Sequence, residues 1–154
     1  MRLSKYNLVS SQADKKIHDL QHLVQAVRPA EGWIYTIRKA INMSMRQLAE
    51  RMHITTQSVK EMEVREKSGT ITLDTLNKVA KALNMKLVYG FIPEAGSIDK
   101  MIEQRAEELA TQIVMRTSAS MKLEDQENSP QRITQAIKEM KEELKKEMPR
   151  YLWD

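Results

Sequence analysis

The sequence predicts an all-α chain: a helical domain, one short strand towards its end, and a helical C-terminal extension. Three observations carry this prediction. Apolar residues recur at three- and four-residue spacing in seven runs separated by short polar breaks. Residues that cap helices stand directly before several of those runs. One stretch alone, "KLVYGFIP" (86–93), is continuously apolar and rich in strand formers.

The leading helix is read over Gln12 to Val27, where Ile17, Leu20, Val24 and Val27 share a face, and "RPAEG" (28–32) stops it. Trp33, Ile34, Ile37 and Ile41 mark a second helix that Asn42 closes. Ser44 is the expected N-cap of a third helix through Met52, and Thr55 of a fourth through about Arg65. Thr72 caps a fifth, with Asp74 in the first turn where the helix dipole favours a carboxylate, and Asn84 ends it in the left-handed conformation. The strand follows, ended by Pro93; a lone strand needs a partner edge, and a second subunit would supply one. Ile98 to Val114 then traces an amphipathic helix, "SMKLEDQENSP" breaks it, and Pro130 opens a last helix whose apolar face runs from Ile133 to Met148. The charge run "KEMKEELKKE" on that helix reads as a solvated face. The expected organisation is thus a leading helix packing on the core (1–31), the central domain with its strand (32–97) and the extension (98–154).

Composition narrows the functional classes. A chain of 154 residues with 41% apolar content accommodates one compact domain plus extra elements. Without cysteine there are no disulfides, thiolate metal sites or cysteine nucleophiles, which fits a reducing compartment. The start "MRLSKYNLVSSQ" lacks the apolar region of a signal peptide, and no run approaches the roughly 18 apolar residues of a spanning helix. The expectation is a cytoplasmic protein with no membrane contact. Residues 1–97 carry 15 Lys/Arg against 9 Asp/Glu, and residues 98–154 carry 10 against 12. A basic front suits an anionic partner such as a phosphate backbone.

The stretch "HITTQSVKEMEV" (53–64) concentrates small polar side chains at the start of a helix. Across Met45 to Glu63, the small or apolar positions Leu48, Ala49, Met52, Ile54, Val59 and Met62 have the spacing of a helix-turn-helix. Ala49 permits close helix approach, Ile54 fills the turn, and Val59 and Met62 anchor the second helix. Thr55, Thr56, Gln57, Ser58, Lys60 and Glu61 are left outside or at the helix start. In such a motif these residues enter the major groove of double-stranded DNA, where Gln can bond an adenine edge bidentately, Thr can offer hydroxyl or methyl, and Lys can neutralise phosphate. Two capped helices in any all-α domain would also show polar residues at their turn; the apolar spacing across the whole motif favours the DNA reading.

The string "MSMRQLAERMHITTQSVKEMEV", followed by "GTITLDTLNKVAKALNM", resembles the phage-repressor-like (Cro or XRE-type) helix-turn-helix family over about Gly32 to Met85. The resemblance implies base reading by Thr56, Gln57 and Glu61, and DNA-backbone contacts from Thr55, Ser58 and Lys60. Met45 stands where that family often has a phosphate-binding Gln, so Arg46 or Gln47 would take the contact. His53 replaces the usual turn Gly and tolerates the left-handed region better than most residues. A narrower resemblance, carried by "GWIYTIRKAINMSMRQLAERM", "GTITL", "LVYGFIP", "MKLEDQ" and "LWD", is to the mobile mystery protein A group, encoded beside a Fic-domain partner. It implies an antitoxin-like repressor of its own operon. Small Fic inhibitors share a Ser/Thr-x-x-x-Glu-Gly/Asn helix; Ser120 and Glu124 fit its first part, and Asp125 departs from its last position.

Other constellations carry less. His18 and His22 are spaced like metal ligands, yet they lie opposite the apolar stripe of their helix and lack a third ligand, so no metal site or cofactor is expected. No acidic pair sits in an apolar setting and no phosphate loop or nucleophile elbow occurs, which argues against an enzyme. Trp33 is expected in the core. Trp153 either docks on its own domain, the favoured reading, or anchors in a partner's pocket.

Overall fold

The computed structural model describes residues 5–23, 28–123 and 129–154. Its helices are α1 (Lys5–Leu20), α2 (Trp33–Ala40), α3 (Met45–Met52), α4 (Thr56–Ser68), α5 (Leu73–Ala82), α6 (Ile98–Leu123) and α7 (Pro130–Glu147), with short 3-10 turns at Gln21–Leu23 and Arg150–Trp153. Two compact units result: the described residues of Met1–Val24 with Gly90–Asp154, and those of Gln25–Tyr89.

In the Gln25–Tyr89 unit, α2 to α5 enclose a core of Ile34, Leu48, Ala49, Val59, Val79 and Leu83, each buried. Ala49 is small where α3 meets α4 and α5. The caps are local and follow the sequence. Ser44 Oγ accepts from Gln47 N at 3.1 Å while Gln47 Oε1 accepts from Ser44 N at 2.8 Å, a reciprocal capping box. Thr55 and Thr72 each accept from the backbone N–H three residues on. Asn42, His53 and Asn84 take left-handed backbone at φ 55 where their helices end. Ser44→Ala removes the hydroxyl that accepts from Gln47 N and leaves the Ser44 N donor to Gln47 in place; a loss of about 1 kcal/mol in unfolding free energy is expected by urea denaturation.

Two buried glutamates of α4 tie it to α2. Glu63 receives Arg38 Nε at 2.7 Å and Arg38 Nη2 at 3.3 Å, and Arg38 Nη1 donates to Met43 O at 3.0 Å. Glu66 accepts the first N–H groups of α2, Trp33 N at 2.7 Å and Ile34 N at 2.9 Å, which would otherwise be orphaned at the helix start. Gly32 precedes them at φ 86, ψ 165, a region open essentially to glycine alone, and a Cβ there would lie 2.9 Å from the Glu66 carboxyl carbon. Arg28 closes the other end of α4 by donating to Glu66 O and Lys67 O.

In the other unit, α6 and α7 pack through Ile102, Ala106, Ala110 and Leu144, joined by Leu152 of the final 3-10 turn. Ala106 and Ala110 are one turn apart and fully buried, so the two helices approach closely. Arg105 Nε donates to Leu152 O at 2.6 Å and Nη2 to Asp154 O at 2.7 Å, holding that turn on α6. Asp14 of α1 accepts from Ile98 N and Asp99 N and so caps α6 from outside it. The leading helix, expected over 12–27 and against the core, begins at Lys5 and has its described contacts with α6; Val24 and Val27 lie outside the described residues.

The expected strand is not formed. Residues 85–93 adopt neither helix nor ladder, and the described residues contain no strand. The reason is an unmet partner: among the described residues no neighbouring edge offers its N–H and C=O groups, and an isolated strand cannot satisfy its own. Among the described residues no helix is long and apolar enough to cross a membrane.

Candidate nucleic-acid interface

The turn between α3 and α4 is set by three residues. His53 ends α3 in the left-handed region, Ile54 N returns to Ala49 O at 3.0 Å, and Ile54 packs against the core. Thr55 then opens α4: its Oγ1 accepts from Ser58 N at 3.1 Å and lies 2.8 Å from Ser58 Oγ. The Thr55 and Ser58 hydroxyls are therefore engaged with one another at the helix start. A contact by these two residues with a phosphate would come from the same polar end, where unpaired N–H groups and the helix dipole favour an anion.

Helical spacing divides α4 into two faces. Val59, Glu63 and Glu66 are buried and Met62 is partly so; Gln57, Lys60, Glu61 and Val64 are exposed on the side away from them, and Thr56 is exposed at the helix start. Val64 is 59% exposed yet shares the polar face, one turn beyond Lys60. Sequence reasoning passed over it because it lies one residue beyond the Met45–Glu63 span of the motif; the four-residue step from Lys60 was the signal. Arg46 and Gln47 stand at the start of α3, both exposed. Arg46 pairs with Glu50 at 2.9 Å, and Gln47 uses its carbonyl oxygen in the capping box, leaving its amide N–H groups to face solvent.

Burial sharpens the charge of this unit. Gln25–Tyr89 holds 11 Lys/Arg and 6 Asp/Glu. Because Glu63, Glu66 and Arg38 are buried, the exposed set is 10 basic against 4 acidic residues. Taking two carboxylates inside leaves a surface more basic than composition alone suggests, as a phosphate-facing domain requires.

Of the candidate residues of the other unit, Ser120 and Trp153 are among those described. Ser120 is exposed near the end of α6 and its hydroxyl donates back to Arg116 O. Glu124 and Asp125 lie outside the described residues. Trp153 is 52% exposed and borders an apolar cleft of about 420 Å³ with Tyr6, Val9, Met101 and Met148. Trp33, expected in the core, is 48% exposed at the rim of an apolar groove with Ile37, Met85 and Val88. As the first residue of α2 it contributes its N–H to Glu66 while its ring stays at the surface. His18 and His22 are both exposed, and among the described residues no three His, Cys, Asp or Glu side chains converge as metal ligands.

Residues 34–89 match the family model described as "Helix-turn-helix". That stretch is a helix-turn-helix domain of the XRE type, a class that binds DNA in transcription regulation. No curated protein and no solved structure matches the chain.

Proposed function

We propose that this chain is a sequence-specific DNA-binding repressor that acts as a homodimer on a two-fold operator. The observation that carries this reading is the outward face of α4: short polar side chains at a capped helix start, on a domain whose exposed charge is strongly basic. Thr56, Gln57 and Glu61 would read base edges, with Val64 available to a thymine methyl. Thr55, Ser58 and Lys60, with Arg46 or Gln47 from α3, would fix the register on phosphates. The DNA-binding part would lie within residues 32–97.

The narrower role, antitoxin-like autoregulator beside a Fic-type partner, is supported by sequence resemblance to the mobile mystery protein A group. A second reading makes the extension, residues 98–154, an inhibitor or adaptor of such a partner through Ser120, Glu124 and Trp153. It is favoured by the apolar cleft that Trp153 borders. The deciding experiment is fluorescence anisotropy on duplex DNA from upstream of the chain's own gene, beside a scrambled duplex, at two salt concentrations. Specific binding that persists at the higher salt, with the scrambled duplex lost, is expected. Equal, salt-labile binding to both duplexes would overturn the autoregulator and leave the partner-inhibitor reading ahead.

A further inference from the structure

We propose that the segment Lys86–Glu94 is a dimerisation strand, pairing antiparallel with the same segment of a second copy about a two-fold axis through Gly90. The proposal supplies the interface for the homodimer in the reading above and rests on that reading for its two-fold symmetry.

The segment carries strand-forming side chains that find no cover in one copy. Val88 is 63% exposed, Tyr89 66%, Phe91 87% and Ile92 37%. Among the described residues, no backbone N–H from Lys86 to Ile92 donates to another backbone group, and no residue of the segment has a positive φ that would bar a ladder. An apolar, unpaired edge of this length is a template for pairing with another chain.

The sequence also identifies the occupant, because it is self-complementary about Gly90. Antiparallel pairing on that axis sets Tyr89 against Phe91 and Val88 against Ile92, twice each, and Lys86 against Glu94, opposite charges at both ends. Tyr89 and Phe91 of both copies fall on one face and form a four-ring cluster. Pro93 selects the hydrogen-bond phase. If Gly90 faces its counterpart as a hydrogen-bonded pair, Val88/Ile92 is hydrogen-bonded too, while Leu87/Pro93 is a non-hydrogen-bonded pair. The missing N–H of Pro93 then costs nothing; in the opposite phase it would leave a gap in the ladder. Glycine on the axis has its own reason: a Cβ at Gly90 would lie 2.5 Å from Leu20 Cδ1.

The natural chain has no cysteine, so introduced thiols report the register directly. Full-length Tyr89→Cys and Phe91→Cys chains, mixed and oxidised without DNA, should give a disulfide-linked heterodimer. In this register the two Cα atoms are about 4.5 Å apart, within the range that a disulfide spans. Homotypic cross-links join diagonal positions at about 7–8 Å and should be at least about tenfold rarer. Separately, Phe91→Lys alters a side chain that is 87% exposed in one copy, so helicity should be unchanged. Sedimentation equilibrium should then show a dimer dissociation constant at least about tenfold higher than for the natural chain.

Cross-linking that is equal in all pairings, a natural chain that stays monomeric, or a Phe91→Lys protein that dimerises normally would each overturn the strand. Since these assays contain no DNA, a chain that pairs but does not prefer its own upstream duplex would overturn the repressor alone. A monomer that keeps that preference would overturn the strand alone.

Discussion

Replacing Glu63 by Ala is expected to lower the unfolding free energy of the helix-turn-helix unit by about 3–5 kcal/mol, the largest effect of any single change argued for this chain. The Arg38 and Glu63 side chains are only 4% and 9% exposed. Without Glu63 the Arg38 guanidinium keeps Met43 O and the nearby Tyr35 ring, 5.5 Å from its carbon, but loses its counter-charge away from water. The ion pair need not stabilise the fold relative to an apolar pair, because its desolvation offsets much of its attraction. The double change Arg38→Met with Glu63→Leu should therefore recover most of the loss. Trp33 belongs to this unit and Trp153 to the other, so urea unfolding followed by Trp33 fluorescence in a Trp153→Phe background reads the domain alone. A loss below about 1 kcal/mol for Glu63→Ala would mean that water reaches the guanidinium and that the pair behaves as a surface one.

On the proposed reading, the same pair bears on recognition. Glu63 and Glu66 fasten the buried side of α4 to α2 at Arg38 and at Trp33 and Ile34, so the outward row of Thr56, Gln57, Lys60 and Glu61 is carried on a helix fixed by polar as well as apolar contacts. Directional bonds resist rotation of α4 about its own axis more than Val59 and Met62 can by packing alone. A side chain that bonds a base edge bidentately needs that constraint, because a small rotation of the helix would spoil both bonds.

What was legible in the sequence was local. Ser44, Thr55, Thr72 and Pro130 start helices by chemistry confined to the next three residues, and Asn84 ends one by its tolerance of left-handed backbone; each stands where the sequence places it. The spacing of Leu48, Ala49, Val59 and Met62 likewise fixes which faces of α3 and α4 turn inward. What was not legible depends on distant partners. No local pattern marks Glu63 and Glu66 for burial, which follows from groups 25 to 33 residues earlier in the chain. Asp14 acts as the cap of α6 across 84 residues, which no local pattern signals. The 86–93 segment failed as a strand for the same reason: β-propensity describes a fit to neighbours, and a single copy offers none.

On the proposed reading, Gln57→Ala and Lys60→Ala should separate the two kinds of contact that α4 makes. Both side chains are exposed and lie on the face away from Val59, so neither change should alter folding by more than about 0.5 kcal/mol. A bidentate Gln–adenine contact discriminates against the wrong base by about 1–3 kcal/mol, so Gln57→Ala should flatten preference at one base pair of each half-site and leave the others intact. Lys60 contributes charge and little sequence information. Its removal should weaken every duplex alike and lower the slope of log K against log salt by about one unit per site. Anisotropy titrations on a panel of singly substituted operators, repeated at several salt concentrations, measure both quantities. A Gln57→Ala protein with an unchanged profile would move base reading to Thr56, Glu61 or Val64. If both variants bind as the natural chain does, α4 is not the helix that meets DNA, and the basic surface around it must bind through another face.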